Sequence, residues 1–244
     1  MSTAPGAGSR REDLPWLRRR GRPPAVTEPE SAPSPPATQP PPPPARPQPA
    51  VDWARARPGE TVILGRQQPT VRLTRIQSGV GALSIRAALP GDAALPGDTG
   101  GVLLGCAYQL RSGQSALLPG PGGPSLAPPG SRRPVILADH LTLTLDLLQS
   151  REIQRLVVFA YSPAGTSVSW GGTLVVRTLG GARIEVPLGR PEGAGALVAL
   201  SLYNIDGEFV LRAEDELVTG AARQVCAAYG FDQITWVDDQ TPLR

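Results

Sequence analysis

Fifteen of the chain's 29 prolines fall in its first 50 residues, and no packed core can be drawn through that stretch. Ile and Phe are absent from it, and beyond Ala, Val and the first Met its only apolar side chains are Leu14, Trp16 and Leu17. Ordering a residue costs about 1–2 kcal/mol of backbone entropy, and a segment with so little to bury has nothing to offset that cost. Residues 1–56 therefore read as a disordered basic and Pro-rich tail. The five prolines Pro40 to Pro44 favour polyproline II, which makes residues 23–49 a semi-rigid spacer of roughly 3.1 Å per residue. A ligand for a proline-recognition domain is the alternative reading of the same run. The remainder, residues 57–244, is long enough for one domain with a sizeable core.

Charge obeys the same division. In residues 1–56 eight arginines stand against five acids, and in residues 57–244 sixteen stand against sixteen, so the formal net charge of +3 belongs to the tail. All 24 basic residues are Arg and none is Lys. With so much Ala, Gly and Pro, this reads as the coding bias of a GC-rich bacterial genome, and no nucleic acid is expected as a partner. No run of 18 apolar residues occurs and the N-terminus has no apolar leader, which predicts a cytoplasmic protein. Two cysteines, Cys106 and Cys226, make no disulfide framework and read as small buried hydrophobes.

Beyond Pro58 the pattern is one of short β-like runs between Gly and Pro clusters. Thr61 to Leu64, Val71 to Ile76 and Gly81 to Ala88 come first. Val102 to Leu110 is almost continuously apolar, as a fully buried strand would be, whereas LTLTLDL at Leu141 to Leu147 alternates with the period of a half-buried one. Leu156 to Tyr161, Leu174 to Arg177, Arg183 to Pro187, Ala196 to Asn204 and Glu208 to Leu211 come next, with the hairpin signal Asp206-Gly207 between the last two. Thr219 to Tyr229 has helical spacing and stops at Gly230. Ile234 to Val237 reads as a final strand. About ten strands and one C-terminal helix predict an all-β, two-sheet β-sandwich.

Few residues in this pattern suggest chemistry. His140, the only histidine, stands directly before the LTLTLDL strand with no nucleophile placed beside it by any motif, and reads as structural. Gly120, Gly122 and Gly123 resemble a phosphate loop, but Pro119, Pro121 and Pro124 remove the N–H donors an anion needs. SVSWGG at Ser167 to Gly172 lacks the strand-elbow-helix setting of a hydrolase nucleophile. Asp92 and Asp98 sit in two LPGD copies that read as a loop duplication, and no Cys or His pair has metal-ligand spacing.

Taken in order, LGCAYQLRSG (Leu104 to Gly113), QRLVVFAY (Gln154 to Tyr161), ALSLYNIDGEFVLR (Ala199 to Arg212) and VCAAYGFDQITW (Val225 to Trp236) resemble the TerD superfamily of tellurium-resistance and stress-response proteins, and within it the TerA-like branch. The resemblance covers residues 57–237. It implies a non-enzymatic binding or scaffolding protein of a tellurite or general stress-response system, with other stress-response proteins as partners. It also implies calcium in loops at one end of the sandwich, and here the sequence departs from the family. Gly101, Leu103 and Arg132 stand where the family has ligands, and the expectation is that no metal or other cofactor is bound. The alternative is a calcium-binding member that draws its ligands from Asp92, Asp98 and Asp139. A sandwich hydrolase or carbohydrate-binding module outside the family is a third reading. In the tail, Trp16 beside Arg18, Arg19 and Arg20 joins an aromatic anchor to positive charge, which suits an acidic protein surface or peripheral attachment to the inner face of a membrane.

Overall fold

The structure, a computed structural model, describes residues 53–89, 101–123, 125–167, 171–189, 193–239 and 241–243. The tail as far as residue 52 therefore lies outside the described residues. The element order is β1 (Thr61–Ile63), β2 (Thr70–Arg72), α1 (Arg75–Gly79), β3 (Ala82–Ala88), β4 (Leu103–Leu110), β5 (Ser115–Leu118), β6 (Ile136–Asp139) and β7 (Thr142–Asp146). A 3-10 turn (Leu147–Glu152) leads into β8 (Ile153–Tyr161), β9 (Thr173–Thr178), β10 (Arg183–Pro187), β11 (Ala196–Ile205), β12 (Glu208–Val218) and α2 (Ala222–Ala228).

Twelve strands among the described residues form two six-stranded sheets, as the all-β sandwich reading requires. The first has the order β1-β10-β9-β3-β7-β6 and the second β2-β12-β11-β8-β4-β5. Every pairing is antiparallel except that of β1 with β10. Leu83, Ile85, Leu143, Leu145 and Val176 from the first sheet meet Leu104, Tyr108, Leu156, Val158 and Leu211 from the second in one buried core. The alternation of β7 arises from this packing: Leu143 and Leu145 face the core while Thr142 and Thr144 face outward. The continuous runs of β4, β8 and β11 have a different cause. Over these strands the outer face of the second sheet is covered too, by α2 and the segment after it, and Ala107, Val157, Phe159 and Val198 pack there against Val225, Cys226 and Phe231. Gly105 belongs to that face because a Cβ there would lie 2.9 Å from the Phe159 ring.

Several elements differ from the sequence reading. Val71 to Ile76 is not one strand. It breaks after β2 because Thr74 and Gln77 close a capping box, in which each side chain takes the other's backbone N–H and starts α1. The C-terminal helix is accordingly not the only one. β5 and β6 are additional short edge strands, and β12 runs on to Val218 through a bulge marked by the register shift at Val198/Leu200 and by Asp215 at φ 48°. Ile234 to Val237 forms no strand, contributing only a bridge between Trp236 and Pro242. The hairpin at Asp206-Gly207 is as expected, with both residues at positive φ and Ile205 paired to Glu208. The packed structure also begins before residue 57. Ala56 is buried, its N–H bonds to the Arg72 carbonyl, and its own carbonyl accepts from the Gln77 side chain.

The sandwich has two unlike ends. α1, the 3-10 turn, the β9–β10 turn and the β11–β12 hairpin gather at one, the helical end. β4 starts at the other, the loop end, where β8 and β12 finish.

Candidate functional site

Of the described positions considered for metal binding, Gly101, Leu103 and Asp139 lie toward one end of the sandwich and Arg132 toward the other. Gly101 and Leu103 enter β4 at the loop end, where Leu103 packs against the outer core beside Gly120. Arg132 lies at the helical end. The segment between β5 and β6 runs the length of the sandwich, pinned midway by the Tyr108 hydroxyl, which accepts from the Leu126 N–H at 2.6 Å, and by the bond from the Val135 N–H to the Leu126 carbonyl. Beyond that pin, Arg133 pairs with Asp146 at 3.1 Å and leaves Arg132 exposed. Asp139 closes β6 and is exposed, 4.0 Å from the imidazole of His140. His140 itself occupies the β6–β7 turn at φ 45°, a turn position with its side chain in solvent. Among the described residues no three His, Cys, Asp or Glu side chains gather as a metal ion would need. Asp92 and Asp98 lie outside the described residues, as do Trp16, Arg18, Arg19 and Arg20.

Among the described residues, no element packs over the outer face of the first sheet. Registers place Thr61, Arg183, Arg177, Ser84, Thr144 and Leu137 side by side across its six strands. The next row on that face holds Ile63, Glu185, Val175, Arg86, Thr142 and Asp139. Arg183 is held by Glu185, its Nε donating at 2.8 Å. Arg86 and Arg177 are exposed, and no carboxylate among the described residues pairs with either. Arg177 stands directly opposite Arg183, an arrangement of like charges that costs a sheet stability. The face is therefore cationic at its centre, lined with hydroxyls, and unused by the core. The sequence shows the alternation that turns these side chains outward, but not the register that aligns them.

The outer face of the second sheet is closed by polar contacts as well as by apolar ones. Arg155 on β8 donates from Nε to Gln109 Oε1 at 3.0 Å, from Nη1 to the Tyr229 carbonyl at 3.0 Å, and from Nη2 to the Gly230 carbonyl. Its guanidinium also lies 4.4 Å from the centre of the Phe231 ring. The Tyr229 hydroxyl donates to Glu216 at 2.8 Å on β12. This set clamps the C-terminal segment, and no sequence motif signals it. Burial pushes the Cys226 thiol up to about 12 and Cys106 higher still, so both are protonated and inert at neutral pH.

No family model matches the chain, and no curated protein or solved structure matches it either.

Proposed function

We propose that this chain is a non-enzymatic binding or scaffolding protein of a stress-response assembly, as its resemblance to the TerD superfamily implies, and that it engages an acidic partner protein through the outer face of its first sheet. The observation that carries the reading is the row in which Arg177 stands between Arg183 and Ser84, with Arg86 in the next row. The Arg177–Arg183 opposition disfavours the isolated fold, and a carboxylate-bearing partner would turn it into a favourable contact. The placement of His140 in a solvent-exposed turn and the raised pKa of both thiols support a binding role over an acid-base or thiol-based one.

The test is genetic and then physical. Loss of the gene should lower the tellurite concentration that stops growth, and wild type should restore it. An Arg86→Glu, Arg177→Glu variant, folded and equally abundant, should not. Full restoration by that variant would remove the face from the function, and unaltered tellurite and oxidant tolerance after gene loss would remove the stress-response role.

A further inference from the structure

The helical end carries a second surface. Ile76, Val80, Leu148 and Leu179 are large apolar side chains between 47% and 73% exposed. They belong to three separate elements, yet the backbone brings them together around Gly81. Leu179 is so close to Gly81 that a Cβ there would lie 2.6 Å from its Cδ2, Val80 precedes Gly81 in sequence, and the Leu147 N–H bonds to the Gly81 carbonyl. Ile76 sits one helical turn before Val80. None of the four is needed by the core, and a cluster of this kind marks an interaction site.

Cations accompany these tips. Arg151 lies three residues after Leu148 in a 3-10 turn, where that spacing places both on one side. Arg75, next to Ile76, is exposed and reaches the Asp206 carbonyl at 3.2 Å. Arg111 and Arg132 are exposed at the same end. Of the acids there, Asp146 is held by Arg133, Glu208 by Arg72, and Glu152 is half-buried, which leaves Glu60, Asp206 and, beside Arg155, Asp232 as the exposed ones. Glu214 and Glu216, in contrast, lie on the part of β12 toward the loop end, so charge is distributed unevenly along the sandwich.

We infer that the helical end docks peripherally on an anionic lipid surface, with Leu148, Leu179, Ile76 and Val80 entering the headgroup boundary and Arg75 and Arg151 pairing with lipid phosphates. Protruding tips on separate turns suit a fluid interface better than a flat partner, because each side chain inserts without a preformed pocket. The uneven charge would orient the basic end toward negative headgroups. The site is distinct from the tail, and it needs no membrane-crossing helix; none of the described helices is long and apolar enough to be one.

The full chain should be floated with vesicles of phosphatidylcholine alone and with vesicles containing about one-third phosphatidylglycerol. Binding is expected on the second kind only, weakening as salt rises. Arg75→Ser or Arg151→Ser should each weaken it roughly fivefold, at about 1 kcal/mol per charge near the surface, and Leu148→Ser with Leu179→Ser should weaken it at least tenfold. An environment-sensitive fluorophore on a Leu179→Cys variant should shift to the blue on anionic vesicles. The exposed positions leave the melting temperature within a few degrees, which separates loss of binding from loss of fold. The inference is overturned if the full chain ignores anionic vesicles. It is equally overturned if binding survives both the arginine and the leucine substitutions or is abolished only by Arg18, Arg19 and Arg20→Ser in the tail. It also fails if the Leu pair instead dissolves a dimer seen in sedimentation, which would make the patch an interface between copies.

Discussion

Arg155→Ala should loosen the C-terminal segment and lower global stability by about 3 kcal/mol. The figure is built from the clamp itself. Two backbone carbonyls, those of Tyr229 and Gly230, lose charge-assisted donors, and Gln109 loses a third bond. Hydrogen bonds to charged groups contribute about 1.5–3 kcal/mol when well buried, but Gly230 is exposed and water will replace part of the loss, so about 1 kcal/mol each for the two carbonyls is appropriate. The stacking on Phe231 adds about 1 kcal/mol. In urea, with a slope of about 2 kcal/mol per M for a domain of this size, the midpoint should fall by about 1.5 M. Arg155→Lys should recover less than half of that, because one ammonium cannot span Gln109, Tyr229 and Gly230 together. Hydrogen exchange gives a local check. The Phe231 N–H, bonded to the Cys226 carbonyl at 2.8 Å, should exchange faster in the Ala variant under conditions where β8 and β11 remain protected. A midpoint shift below about 0.3 M, or unchanged protection at Phe231, would show that apolar packing alone holds α2 down.

Truncation before Trp53 should leave the melting temperature of the sandwich unchanged, whereas removal of residues 1–56 should lower it by several degrees. The larger deletion takes away the Ala56 pairing with Arg72, its bond from Gln77 and the Trp53 ring that lies under the Arg72 guanidinium. Thermal melts in millimolar calcium and in chelator should coincide, since a ligand at 100 times its dissociation constant would add about 2.7 kcal/mol; a clear rise with calcium would revive a site that includes Asp92, Asp98 or Asp139. A thiol-reactive disulfide reagent should find neither cysteine in the folded protein and both in denaturant. The thiols' folded pKa values lie above those of the unfolded chain, so the stability they confer is fully present below about pH 8.5 and is lost as pH rises toward the folded values, at roughly 1.4 kcal/mol per thiol per pH unit. Urea midpoints at pH 7.5 and pH 10 measure this slope, which Cys106→Ala with Cys226→Ala should flatten.

Strand periodicity is the most legible part of the sequence, because alternation is the direct result of one buried face and one wet one. β7 and the Asp206-Gly207 hairpin are local features, and both are readable. The start of α1 is not, since Val71, Thr74 and Ile76 are β-branched and its only helical mark is the Thr74–Gln77 box, one residue pair in a strand-like context. β5 and β6 have four residues each, too few for a period to register. The place of Arg132 at the helical end is not legible either. Neighbourhood in sequence suggests a loop that returns to its starting end, whereas Tyr108 and Leu126 carry the segment to the opposite one. Cross-strand register, which sets Arg177 between Arg183 and Ser84, is a tertiary fact that no single segment encodes.

The two sheets divide the molecule's tasks in a way that restricts where partners can bind. The central strands of the second sheet, β4, β8 and β11, are buried on both faces, which is why they are continuous apolar runs, and a substitution there acts through stability. The first sheet is buried on one face only, so its other face and the ends of the sandwich are the surfaces on which a substitution can alter binding without altering the fold. These surfaces meet at the β9–β10 turn, where Arg177 on the face lies two residues before Leu179 at the helical end. If the face and the end engage different partners, Arg177→Glu should spare vesicle binding, Leu179→Ser should spare complementation, and the combined variant should lose both in simple proportion. If they form one continuous surface, each substitution will weaken both readouts and the double variant will depart from additivity, as residues sharing a partner do.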